Sequence, residues 1–376
     1  MRLVLLIIGL FCTTHSLSKD NPPPQDTASM PNLSGLVDTL ASDDIGLMAR
    51  VHFATNTNNF ERAREFYRSI GYTDGLSGFP LTNTHQMARA LGMYDICQYE
   101  MVTGEVITMP GTANPSAIDL LQFKTPYNDK PPYDLPNHLG MAYAAFLTTN
   151  LQADVKLLRS IGATILSEPF GAPGDQFIFF KDLDGILYKL EEHAIPNEVE
   201  NKANIIDMPY IAINVSNLEK SLKFYRALGY TKKSSIEKIG AIKEAKAYGL
   251  KEPFHYKSAN ISIDRGDKHA LRLTQWITPF NPEPPYPLPI NHIGIDRIAL
   301  VVPNIERAVQ ILKTQGVKFV SEIAPCCSGT NEDDSGIVHL IDPDGVFLEL
   351  VGAITKRPLS PQPDGCPKLE IRYPKN

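Results

Sequence analysis

The sequence has no Cys-x-x-Cys pair among its 5 cysteines, so nothing in it supports a thiolate metal centre. It has no basic stripe, and a formal net charge of -6 excludes the electrostatic footprint expected of a nucleic-acid binder. It also has no apolar run of the roughly 20 residues a bilayer crossing requires. The N-terminal run, Leu3 to Phe11, stops well short of that. It follows Arg2 and precedes the small residues Thr14, Ser16 and Ser18, which is the pattern of a signal peptide over residues 1–18. Bulky Phe11 before Cys12 speaks against a lipid-modified cysteine. The expectation is a mature chain that is secreted or periplasmic and has no membrane contact after cleavage. In such an oxidising compartment Cys97, Cys326, Cys327 and Cys366 can pair, and a bridge from Cys366 to Cys326 or Cys327 is the one to expect.

What the chain does have is a repeat. A short apolar strand, an Asn, an amphipathic run and a Gly recur from Asn59 to Gly71, Asn150 to Gly162, Asn217 to Gly229 and Asn304 to Gly316, always at the same spacing. An Asn side chain can accept from an unpartnered backbone N–H at a helix start, and Gly adopts the left-handed conformation that ends a helix. Leu218, Leu222, Phe224, Tyr225 and Leu228 mark the buried face of one copy. Four such units at one spacing are an internal repeat, and each is too small to be stable alone.

The repeat divides the chain. After a flexible lead-in over residues 19–48 come module 1 (49–124), module 2 (138–193), module 3 (206–277) and module 4 (292–352), then a Pro-rich tail (353–376). Within module 1 the interval Thr82 to Tyr94, with Met87, Leu91 and Met93, suits an inserted helix. Two Pro-rich linkers match each other closely, ending in Asn137-His138-Leu139-Gly140 and Asn291-His292-Ile293-Gly294, so the chain is a duplicated pair. The two His are expected to be structural hydrogen-bonders of these turns. The Asn-x-Ser sequons at Asn32, Asn214 and Asn260 are weak signals, since Asn214 falls in a strand.

A helix ending in Phe224-Tyr225, then Gly229-Tyr230, and a turn Asp342-Pro343-Asp344-Gly345 leading to Glu349-Leu350 resemble the vicinal oxygen chelate superfamily of glyoxalases, bleomycin-resistance proteins and extradiol dioxygenases. The resemblance spans most of the chain from Ala49 to Gly352. It implies an α+β fold of four βαβββ modules paired into two cup-shaped half-barrel sheets, with the active site on the cup floor and the inserted helix as its roof. It further implies that floor positions fall at His52, Tyr143, Tyr210 and Arg297 on first strands and at Asp119, Lys189, Arg272 and Glu349 on last strands. Of these, His52, Asp119 and Glu349 could hold a hard divalent ion. Lys189, Arg272 and Arg297 are cations suited to substrate, and Tyr143 and Tyr210 are candidate acids or bases. The plainer roles are a rim or core His at His52 and an Arg partner for Glu349.

Pairing of the modules decides the chemistry. If sequence neighbours pair, each cup joins a carboxylate to Lys or Arg and is metal-free. If module 1 pairs with module 4, one cup collects His52, Asp119 and Glu349 beside Arg297, and a single Fe, Mn, Ni or Zn ion becomes the expected cofactor. The other cup then holds two cations with no carboxylate, and on that count of charge neighbour pairing is the expectation. The functions implied are lyase, isomerase or dioxygenase-type chemistry on a small oxygenated molecule, or metal-free binding and sequestration of such a ligand.

Overall fold

The computed structural model describes residues 37, 38, 40–77, 79–111, 116–193, 204–263, 269–326, 334–355 and 359–373. The expected signal peptide, Asn32 and Cys327 lie outside the described residues.

Module 1 comprises β1 (Ala49–Asn56), α1 (Phe60–Ser69), β2 (Asp74–Ser77), α2 (His85–Ala90), β3 (Glu100–Thr108) and β4 (Ala117–Thr125). Module 2 comprises β5 (Gly140–Thr148), α3 (Leu151–Ser160), β6 (Thr164–Ile165), β7 (Phe170–Ala172), β8 (Asp175–Lys181) and β9 (Leu187–Glu192). Module 3 comprises β10 (Ile205–Asn214), α4 (Leu218–Leu228), β11 (Lys232–Gly240), α5 (Ile242–Ala247), β12 (Phe254–Ser262) and β13 (Ala270–Thr278). Module 4 comprises β14 (Gly294–Val302), α6 (Ile305–Thr314), β15 (Lys318–Phe319), β16 (Ala324–Pro325), β17 (Ser335–Ile341) and β18 (Phe347–Ala353).

The repeated Asn residues start the long helices as the sequence implies. Asn59, Asn150, Asn217 and Asn304 accept from the backbone N–H of Arg62, Ala153, Lys220 and Arg307. The repeated Gly at the far end has positive φ in all four copies, from 81° at Gly316 to 112° at Gly71.

The strands form two sheets, ordered β15-β17-β18-β14-β1-β4-β3-β2 and β11-β12-β13-β10-β5-β9-β8-β6, with β16 and β7 at the sides of β17 and β8. Module 1 therefore joins module 4 in one cup (cup A), and module 2 joins module 3 in the other (cup B). This corrects the expectation of neighbour pairing. The seams are the antiparallel pairs β1–β14 and β5–β10. A strand covered on both faces must be apolar nearly throughout, and β14 is buried along its whole length.

Sequence neighbours meet instead on the faces turned away from the cups. Successive side chains in a strand point to opposite faces, so Phe53 lies opposite His52 and Ala54 and reaches across to Tyr188 of the other sheet, with 6.5 Å between ring centroids. The buried Tyr67 of α1 donates to Asp182 Oδ2 at 3.0 Å and lies 2.6 Å from the Tyr188 hydroxyl. Tyr225 of α4 repeats the contact on Asp342 Oδ2 at 3.2 Å. The other oxygen of each Asp, Oδ1, accepts two backbone N–H groups of its own turn. The Asp-x-Asp-Gly sequence thus fastens one module's hairpin to the helix of the module before it.

The linkers are held in the same duplicated way. Asn56 Nδ2 donates to the carbonyls of Ile290 and His292. Asn214 Nδ2 donates to those of Pro136 and His138, and its Oδ1 accepts from Trp276. Asn214 is therefore consumed as a structural group. His138 and His292 are bound through Nδ1 to the next residue's carbonyl, as structural groups of their turns.

Two boundaries differ from expectation. Ile45 and Leu47, at the end of the expected flexible lead-in, are buried, because Arg307 of α6 donates to the carbonyls of Ala41 and Asp44 and draws the segment in. The tail runs beside residues 81 and 82, where Leu81 N donates to Arg372 O and Arg372 N to Thr82 Oγ1. Cys366 is bridged to Cys97 rather than to Cys326 or Cys327, and Cys326 is disulfide-bonded as well.

Candidate functional site

Cup A is assembled by register. Ala54 of β1 lies between Asp119 of β4 and Arg297 of β14, and Ala299 lies beside Glu349 of β18. Cross-strand partners share a face, so small alanines leave room for the long side chains to converge. Arg297 gathers them. Its Nε donates to Glu349 Oε2 at 2.7 Å, its Nη2 to Asp119 Oδ2 at 3.1 Å and its Nη1 to Asp296 Oδ1 at 2.9 Å. Asn56 completes Asp296 by donating to its Oδ2. His339, directly across from Glu349, places Nε2 3.0 Å from Oε2. His52 Nε2 lies 3.9 Å from Asp119 Oδ2, and among the described residues neither it nor Asp119 Oδ1 has a hydrogen-bond partner.

The charges follow from this geometry. Burial pushes Glu349 up, but the Arg297 guanidinium and His339 outweigh it and hold the carboxyl well below its usual range. Burial pushes Asp296 up to about 7 against the pull of Arg297, and it likewise raises Asp119. The His52 imidazole is held down by burial.

Cup B is assembled likewise. Ala212 of β10 lies between Tyr143 of β5 and Arg272 of β13, and Ala145 lies between Tyr210 and Lys189. The residue that organises them is Glu191, two positions beyond Lys189 on the same strand face. Its Oε1 accepts from Lys189 Nζ at 2.6 Å and from the Tyr210 hydroxyl at 2.7 Å, with Arg272 Nη1 3.8 Å away. Arg272 Nε donates to Asn260 Oδ1, and its guanidinium lies 3.5 Å from the centroid of the Tyr210 ring. Burial opposes the Lys189 charge and lowers its pKa, and burial raises Tyr143 and Tyr210. Both phenols are therefore protonated donors near neutral pH.

An inserted helix roofs each cup, as expected for module 1. Met87 and Leu91 of the α2 region pack with Phe347 and Ile337 over cup A, and Ala245 and Tyr248 of the α5 region pack with Phe179 and Trp276 over cup B.

The structure brings all eight sequence-derived positions together, in two fours. Sequence reasoning missed Asp296, His339 and Glu191. Glu191 was within reach, since it follows Lys189 at strand spacing, and its carboxylate removes the charge objection to crossed pairing. Asp296 adjoins Arg297 and gave no repeat-based signal. His339 could be placed only once the β17–β18 register was known.

A divalent ion does not fit the side chains of cup A. The centre on which Asp119 and Glu349 converge is filled by a guanidinium, and among the described residues no three His, Cys, Asp or Glu are grouped to hold a metal.

Glyoxalase I from Zea mays is similar in structure, at a TM-score of 0.51 and 18% identity over 81% of this chain and 92% of that one. So is a putative dioxygenase from Bacillus subtilis, at a TM-score of 0.51 and 10% identity over 82% and 86% of the two chains. At these identities the likeness shows the fold alone. No functionally curated protein matches the chain. The model of the Glyoxalase/Bleomycin resistance protein/Dioxygenase superfamily matches twice, over residues 49–190 and 207–350, each time spanning two successive modules. With eight floor positions gathered in two cups and both halves matched, the chain belongs to the Glyoxalase/Bleomycin resistance protein/Dioxygenase superfamily.

Proposed function

We propose that this is an exported, metal-independent member of the superfamily that binds a small oxygenated anion on the floor of cup B. One observation carries the reading. Among the described residues Arg272 and Lys189 ion-pair with one carboxylate, Glu191, whereas Arg297 in cup A ion-pairs with three. Cup B is also the more accessible: the side chains of Arg272 and Glu191 are 17% and 26% exposed, against 7% and 5% for Arg297 and Glu349. A guanidinium with spare donors suits a carboxylate or a pair of adjacent oxygens. The Cys97–Cys366 bridge supports export, because such bonds persist in oxidising compartments.

Calorimetric titration with short carboxylates and α-keto acids tests this. Binding is expected in the wild type and is expected to weaken roughly tenfold or more in Arg272→Gln, the loss of one charge-assisted hydrogen bond. Equal binding by both, or none by either, would overturn it. The juxtaposition of Tyr143 and Tyr210 with Arg272 favours a second reading, in which a phenol donates a proton to the bound molecule. Conversion of the ligand, followed by NMR and lost in Tyr143→Phe or Tyr210→Phe, separates catalysis from binding.

A further inference from the structure

We propose that a groove outside both cups, between the outer face of the roof helix α2 and the segment running from the end of α6 to β16, binds a small amphipathic monoanion, a carboxylate or sulfonate carried on an apolar body. The cavity is about 620 Å³, walled by His85, Gln86 and Arg89 on one side, by Lys313 and residues of the stretch 317–323 on the other, and by Ser360 of the tail. A volume of roughly 300–1,000 Å³ is usual for a small-molecule site. Helical spacing lets α2 serve two sides at once. Met87, Ala88 and Ala90 are buried toward cup A, whereas His85, Gln86 and Arg89 line the groove. No floor residue of either cup lines it, so the inference does not depend on a ligand in cup B.

Three observations lead there. Arg89 and Lys313 are exposed cations, and among the described residues neither is paired with a carboxylate. Each lies instead over an aromatic ring, Arg89 Cζ 5.4 Å from the Tyr94 centroid and Lys313 Nζ 5.9 Å from that of Phe319, which leaves N–H donors for an anion. The one carboxylate in the lining is Glu322, so two cations face one acid and a single negative charge is the best match. The wall beside them is apolar: Val317, Phe319, Val320 and Ile323 are all half-buried, with surface left for the body of a ligand. The groove is also preformed. The Tyr94 hydroxyl donates to Val320 O at 3.0 Å, His85 Nδ1 lies 3.1 Å from Ile96 O, and Ser360 N donates to Gln86 Oε1 at 3.2 Å. Module 1, module 4 and the tail are thus held at fixed spacing, and the Cys97–Cys366 bridge anchors the tail. A site already in place spends little binding energy on ordering itself.

The test titrates the intact, oxidised protein with anilinonaphthalene sulfonate, read by its fluorescence, with decanoate and decanol as competitors. About one probe per chain is expected, displaced by decanoate and not by the uncharged alcohol. Arg89→Gln and Lys313→Gln are each expected to raise Kd roughly fivefold or more, through loss of a charge-assisted hydrogen bond at a site open to solvent. Both side chains are exposed, so circular dichroism and Tm should stay at wild-type values. Ile323→Glu, which puts a second acid on the wall, is expected to weaken binding further. No binding by the wild type, full affinity in these variants, or displacement by decanol as readily as by decanoate would each overturn the inference. Loss of binding in Arg272→Gln with both groove variants unaffected would put the probe in cup B and overturn it too.

Discussion

Arg297 Nε and Glu349 Oε2 stand 2.7 Å apart on adjacent parallel strands, both buried at the floor of cup A. Breaking a buried pair leaves one charge uncompensated. Glu349→Ala is therefore expected to lower stability by about 3–5 kcal/mol, measured by urea unfolding. Adding Arg297→Met should recover little of that loss, because Asp119 and Asp296 would then be buried without their guanidinium.

Tyr67 ties α1 to the turn of module 2 through Asp182 and the Tyr188 hydroxyl. Tyr67→Phe is expected to cost about 1–3 kcal/mol, since it leaves buried acceptors unpaired. Tyr225→Phe removes the equivalent contact on Asp342, but among the described residues Tyr225 has no second hydroxyl partner of the kind Tyr67 finds in Tyr188, so its loss should be the smaller. Parallel denaturant curves for the two variants check the order.

Two aspartates give opposite pH dependence. Burial pushes Asp207 up, but hydrogen bonds from His269 and Ser116 outweigh it and hold the carboxyl down at about 2. Its contribution is present above its ordinary value near 3.8 and is lost as pH falls towards 2, so Asp207→Asn should flatten the acid limb of a stability profile. Asp182 is raised by burial to about 7. Its contribution is complete at about pH 4 and is lost as pH rises through 7, and Asp182→Asn should remove that decline. Unfolding free energy from pH 2 to 9 reads both.

The Cys97–Cys366 bridge closes a loop with a sequence separation of 269. Constraining so long a segment of the unfolded chain is worth about 2–4 kcal/mol, so Cys366→Ser should lower Tm in non-reducing buffer. In the variant the tail beside Leu81 and Thr82 should also become the first site of limited proteolysis, which mass spectrometry of the fragments would locate.

Much of this was legible beforehand because local chemistry repeats. Asn59, Asn150, Asn217 and Asn304 each needed only a helix three residues ahead to act as caps, so helix starts could be read directly. The eight floor positions followed from strand alternation and the family resemblance. Module pairing was not legible, because it turns on what lies across a sheet seam: Ala54 meets Arg297, and no local pattern announces a partner so distant in the chain. The count of charge misled because it included only the positions expected on the floor and omitted Glu191, which supplies cup B with its anion. The bridge from Cys97 to Cys366 was missed for a related reason, since the path of the tail past Leu81 is set by contacts between remote segments.

Because every sheet borrows strands from both halves of the polypeptide, neither half is a self-sufficient piece. Cut between residues 193 and 204, each fragment would carry one unfinished edge of either bowl, and only recombination of the two would complete them.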